Sequence, residues 1–112
     1  MSYENWSKTA VSEKTYQVSE STQRDVYTID GITVYDHFVS PWNIFKPSHS
    51  YTVIDLQIPL NDINKKIVSD FGGEFVNWYC SDGYMMAKFD APINSLKIVY
   101  NFIKECKNQL VF

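Results

Sequence analysis

The sequence predicts one α+β domain built on an antiparallel-rich sheet, and two observations predict it. Asp-Gly pairs at 30–31 and 82–83 each sit between alternating apolar and polar residues, the signature of tight turns between strands. Two stretches, Leu60 to Phe71 and Leu96 to Leu110, repeat apolar residues at helical spacing. With 112 residues, 45% of them hydrophobic, the chain can fill one core and is too short for two ordinary domains, so residues 1–112 are expected to form a single one.

Along the chain, the first two dozen residues are rich in Ser, Thr, Glu and Lys, and residues 1–14 are expected to be a flexible arm. Across Thr15 to Ser21, Tyr16 and Val18 alternate with polar neighbours, so this stretch stands between arm and edge strand. Residues 25–36 form the clearest local pattern. Asp30-Gly31 joins Asp25-Val-Tyr-Thr-Ile to Ile32-Thr-Val-Tyr-Asp, and a two-residue turn sets Ile29 opposite Ile32 and Tyr27 opposite Val34 on one apolar face. From Phe38 to Ser50 no period survives. Pro41, Trp42, Ile44, Phe45 and Pro47 mark a long connection that either lids the core or serves a function.

Tyr51 to Pro59 alternates as a strand, with Thr52, Ile54, Leu56 and Ile58 on one face and Tyr51, Val53, Asp55 and Gln57 on the other. Leu60, Ile63, Ile67 and Phe71 then predict a short helix with Asn61 as its N-cap and Gly72-Gly73 ending it. A second hairpin, Glu74 to Asp90, is expected to turn at Asp82-Gly83 and pair Cys80 with Met85, Trp78 with Ala87 and Val76 with Phe89. The last helix is expected from Pro92–Ser95 to about Asn108 with Leu96, Val99, Ile103, Cys106 and Leu110 inward. Leu110 to Phe112 is a candidate short strand.

Residues 51–112 therefore follow the order β-α-β-β-α, which is similar to the split βαβ or ferredoxin-like unit, with two helices on one sheet face. The extra N-terminal β-hairpin either extends that sheet or covers its open face. Strand parity places Tyr51, Val53, Phe75, Asn77, Tyr79, Tyr84, Met86 and Lys88 on the second face. Such an aromatic face is either packed beneath another part of the chain or used as a contact surface.

Composition narrows the functions. A net charge of −3 and a single Arg, Arg24, give no basis for gripping a phosphate backbone, so nucleic acid is a disfavoured partner. The polar stretch from Met1 to Gln23 lacks the apolar segment of a leader, and nothing later is long and apolar enough for a membrane span; the expectation is a cytoplasmic protein that does not enter a membrane. Two cysteines, Cys80 and Cys106, make no disulfide framework. His37 and His49, with Asp36 and Asp55, lack the spacing that puts metal ligands on one regular face, so no metal or other cofactor is expected. A Cys80–His37 nucleophile pair is disfavoured because an apolar setting raises a thiol pKa. Gly72-Gly73 follows a helix, whereas a phosphate-binding loop precedes one.

These exclusions, with 16% aromatic residues, favour a non-enzymatic protein-binding module. The expected mode is occlusion of another protein, as an immunity protein or a phage counter-defence inhibitor would act. The candidate contact residues are Tyr51, Asp55, Phe75, Tyr79, Tyr84, Met86 and Lys88 on the sheet and Trp42 and Phe45 in the loop, with Asp36, Asp55 and Lys88 at the rim. Homodimerisation through the same face is the competing use. Two alternatives stand beside it: a ligand- or single-stranded nucleic-acid-binding module that stacks bases on the aromatic face, and a small dimeric enzyme that would rely on His37 and Asp55.

Overall fold

A computed structural model describes residues 2–10, 14–17, 23–38, 51–77, 80–90 and 95–112, with side chains omitted for 14–17, 23, 24, 37 and 38. The expected positions Trp42, Phe45, Trp78, Tyr79 and His49, and the Pro92 helix start, lie outside the described residues. Among those described, the elements in order are α1 (Tyr3–Thr9), β1 (Lys14–Gln17), β2 (Gln23–Ile29), β3 (Ile32–Phe38), β4 (Tyr51–Pro59), α2 (Asp62–Asp70), β5 (Gly73–Val76), β6 (Tyr84–Phe89) and α3 (Ser95–Cys106). The strands form one sheet in the order β1-β2-β3-β4-β6-β5, every neighbouring pair antiparallel. Because β4 and β5 are both antiparallel to β6, they run in the same direction with β6 between them, and α2 makes the connection.

The N-terminal hairpin extends the sheet beyond β4, which resolves the choice its sequence left open. Ile29 pairs with Ile32 and Tyr27 with Val34, as expected, and Asp30 and Gly31 take φ of 50° and 78°, the positive values that a tight hairpin turn needs. β1 lies outside β2 as the edge strand, so the strand pattern around Tyr16 is real but starts one residue earlier than Thr15.

Among the described residues, one sheet face carries α1, α2 and α3. Ile29, Ile32, Val34, Ile54, Ile58, Ala87 and Phe89 meet Val68 of α2 and Val99, Tyr100, Phe102, Ile103 and Cys106 of α3 in one buried cluster. Within the stretch expected as a flexible arm, 1–14, Tyr3–Thr9 instead form α1, the third helix on this face. A seven-residue helix has little stability of its own. Ser2 caps it by accepting from the Asn5 N–H, and its two large rings dock, Trp6 at 5.2 Å and Tyr3 at 5.7 Å from the buried Tyr100 ring. Each such ring pair adds roughly 0.5–1.5 kcal/mol beyond the area it buries. Glu4 also meets Lys97 of α3 at 2.9 Å.

Three further expectations are corrected by packing. The inward stripe of α2 is Asn64 and Val68, flanked by Ile67 and Phe71, while Leu60 and Ile63 face outward. The last residues form no strand. Instead the buried Asn64 amide accepts from the Val111 N–H at 2.9 Å and donates to the carbonyls of Val111 and Pro59, each at 2.9 Å, while Asn61 caps the helix by accepting from the Asn64 N–H. The side-chain amide thus gives Val111 the donor and acceptor that a neighbouring strand would have offered.

The third correction concerns register. β5 ends at Val76, which pairs with Met86 rather than Phe89; Gly73 lies opposite Phe89 and Phe75 opposite Ala87. Gly73 is the reason. A Cβ there would sit 2.6 Å from Phe89 Cε1 and 2.9 Å from Val68 Cγ1, so the ring and the helix close on the strand only at a residue with no side chain. The Asp82-Gly83 turn does form, closed by the Tyr84 N–H on the Ser81 carbonyl with Gly83 at φ 81°, but it does not continue into the expected ladder.

Two outcomes test this account. Gly73→Ala is expected to lower unfolding free energy by about 2 kcal/mol, the usual cost of overpacking a closed contact, measured by urea denaturation. Asn64→Asp, which keeps the acceptor for the Val111 N–H and loses the donor, is expected to cost about 2 kcal/mol in the same urea measurement, because the Pro59 carbonyl loses this donor and the Val111 carbonyl keeps only the 3.4 Å bond from Asn61 Nδ2.

Candidate functional site

The described surface offers two places where side chains gather outside the helix-bearing core. The first is the second sheet face. Register sets Tyr35 beside Val53, Val53 beside Lys88 and Lys88 beside Glu74, and the next row brings Met86 beside Val76. At its centre Tyr51, Val53 and Met86 are buried, with Tyr35, Val76 and Cys80 packed against them. Lys88 lies over the Tyr51 ring, its Nζ 4.0 Å from the centroid, and pairs with Glu74 at 3.1 Å. The lysine side chain is 13% exposed against 72% for Glu74, so its charge is held down between a ring face and one carboxylate. Tyr35 donates to Asp55 Oδ2 at 3.3 Å, and Asp55 is exposed.

Of the sequence-predicted contact residues, this face therefore brings together Tyr51, Asp55, Met86 and Lys88, but with Tyr51 and Met86 below the surface. Phe75 is a correction: the three-residue change in register turns it to the helix side, where it packs on the main core. Cys80, expected on the helix side, moves the opposite way and joins the second face. Asp36, expected at the rim, points to the helix side, where it accepts from Thr52 Oγ1 at 3.0 Å; Thr52 in turn shares a 2.6 Å hydrogen bond with Ser95 Oγ and so ties the start of α3 to the sheet.

The second place is one end of the molecule. The exposed large apolar side chains among the described residues are Leu60, Ile63, Tyr84, Val111 and Phe112, between 41% and 67% exposed. Their backbones converge on one knot. Tyr84 pairs with Pro59, the Leu60 N–H donates to the Gly83 carbonyl at 3.0 Å, and Asn64 Nδ2 holds Pro59 and Val111 together. Only Tyr84 of these five was singled out by the sequence. Leu60 and Ile63 fit the helical repeat and so pass for core, and nothing in hydropathy signals that an asparagine takes the inward position instead.

Electrostatics lend no support to thiol chemistry. Burial pushes the Cys80 thiol up from its ordinary 9.0, and the Asp55 carboxylate adds to the shift against an opposing hydrogen bond from the Met86 backbone. Burial also raises Cys106, which lies in the helix-side core as expected. Among the described residues no group of three or more His, Cys, Asp and Glu side chains is placed to hold a metal ion, and no helix is long and apolar enough to cross a membrane. Compared with protein-family models, with curated proteins and with solved structures, the chain finds no match.

The raised groups share one sign. Both thiols are pushed up from 9.0, Tyr27 from 10.0, chiefly by burial, and Lys104 from 10.5 by its hydrogen bond with Asp30. The unfolded chain therefore releases these protons first. Their contribution is fully present below the ordinary values and is lost as pH rises through the folded ones. Stability is expected to be level across neutral pH and to fall from about pH 9, which denaturant titrations at stepped pH will check. In the same range, iodoacetamide should alkylate Cys80 with a pH midpoint above that of free cysteine.

Proposed function

We propose that the chain is a non-enzymatic protein-binding module that neutralises another protein by occlusion, and that it does so in the cytoplasm. The observation that carries this reading is the gathering of Leu60, Ile63, Tyr84, Val111 and Phe112 at one end, with no such residue exposed elsewhere among the described positions. Scattered single apolar residues need no explanation, but five exposed ones carried on one knot of backbone are suited to serve as the anchors that protein contacts use. The same observation moves the contact surface away from the centre of the sheet, where Tyr51 and Met86 are already buried, and keeps Tyr84 as the residue common to both surfaces. Of the rings a base-stacking module would use, Tyr51 is covered by Lys88. For the fold, we assign the β4-α2-β5-β6-α3 segment to the ferredoxin-like class on the strength of its split βαβ order, with β3 occupying the place beside β4 where that class carries its last strand.

The test is affinity capture from bacterial lysate with the wild type, with a Leu60→Ser, Ile63→Ser, Tyr84→Ala variant, and with a Glu74→Gln control on the sheet face, each with an unchanged circular dichroism spectrum. The expected result is a stoichiometric protein partner retained by the wild type and the control and lost by the triple variant. Failure to capture any protein, or capture indifferent to the triple change, overturns the reading.

A further inference from the structure

We infer that the partner surface seated on the apolar end is itself apolar and basic: a segment with large aliphatic side chains interspersed with Lys or Arg. This rests on the protein-binding reading and gives it a chemistry. The argument is the charge around the patch. Asp62 is the first residue of α2, between Asn61 and the exposed Ile63, and Asp82 is the residue before Gly83, whose carbonyl holds Leu60. Both carboxylates are exposed, and neither has an ion-pair partner among the described residues.

Of the other lysines with described side chains, all but Lys8 of α1 and Lys65 of α2 are engaged elsewhere. Lys66 pairs with Asp70, Lys88 with Glu74, Lys97 with Glu4 and Lys104 with Asp30, while Lys107 donates to the Asp30 carbonyl. Lys65 lies further along α2, its N–H donating to the Asn61 carbonyl, and is the one cation of that helix without an acidic partner. The apolar end is thus bordered by carboxylates at two of its corners. A basic partner gains there twice, through steering during encounter and through charge pairs formed at the rim of an apolar contact, where they select the partner and set its orientation. An acidic partner meets repulsion from these carboxylates, offset only in part by Lys65 three residues along from Asp62, and a second copy of this chain, presenting the same two carboxylates, meets the same cost.

The test uses two synthetic peptides of equal length, one with leucine at every third or fourth position and lysine between, the other with each lysine replaced by glutamate. Each is titrated into the ¹⁵N-labelled full chain. The leucine-lysine peptide is expected to shift the amides of Leu60, Ile63, Gly83, Tyr84 and Val111, and the glutamate peptide to leave them in place. Asp62→Asn with Asp82→Asn should weaken the first peptide about five- to tenfold, as two exposed pairs can, and 0.5 M salt should weaken the wild type by a similar factor. Equal binding of both peptides, shifts mapping to the sheet face, or a concentration-dependent dimer that buries these amides overturns the inference. The two readings fail separately. If the Leu60, Ile63, Tyr84 variant loses its captured protein while the Asp62, Asp82 variant keeps it unchanged, the basic partner is wrong and the protein-binding module stands.

Discussion

The side-chain amide of Asn64 joins three parts of the chain that share no secondary structure: the end of β4 through Pro59, the first turn of α2, and the final residues through Val111. It is fully buried, and burying an amide is tolerable only when its donors and acceptor are all met. Here they are met by backbone groups that would otherwise be short of partners. The consequences spread outward. With Asn64 facing in, α2 is rotated so that Val68 reaches the core and Ile63 does not; Leu60 stays on the surface beside the Gly83 carbonyl; and Val111 is fixed at the surface, with Phe112 following it. The apolar end of the molecule is a by-product of satisfying one buried amide.

Gly73 plays the equivalent part at the start of β5, on the same helix-bearing side of the sheet. The absence of a Cβ lets Phe89 and Val68 close over the start of β5, and that contact sets which residues of β5 face the helices. Phe75 goes to the core, and Val76 joins Tyr51, Val53 and Met86 on the second face. That face then becomes a small satellite core capped by Lys88, with the Tyr35–Asp55 hydrogen bond at its side. Asn64 and Gly73 both decide which apolar side chains turn to the core and which do not.

The N-terminal segment shows how a weak local signal becomes structure. Tyr3 and Trp6 are spaced to share one side of a helix, yet a single turn of apolar residues in a polar stretch is too little to predict a helix. The docking partner is Tyr100, nearly a hundred residues away, whose ring is buried only once α3 lies on the sheet. The Glu4–Lys97 pair is exposed and adds orientation more than energy.

What the sequence by itself determined was local. The Asp30-Gly31 hairpin and its register, the two faces of β4, the capping of α2 by Asn61, the inward Val99, Ile103 and Cys106 of α3, though not the equally buried Tyr100 and Phe102, and the β-α-β-β-α order all follow from turn chemistry and periodicity, which act between residues a few positions apart. The tertiary structure decided the rest: the β5–β6 register, the rotation of α2, the docking of α1, the side to which Phe75 and Cys80 turn, and the end at which exposed apolar residues collect. Each of these depends on groups distant in sequence, Gly73 against Phe89, Asn64 against Val111, Trp6 against Tyr100. Hydropathy patterns treat an asparagine as solvent-facing and an isoleucine as buried, and they reverse only when a buried hydrogen-bonding site, built by the whole fold, makes the asparagine the better fit.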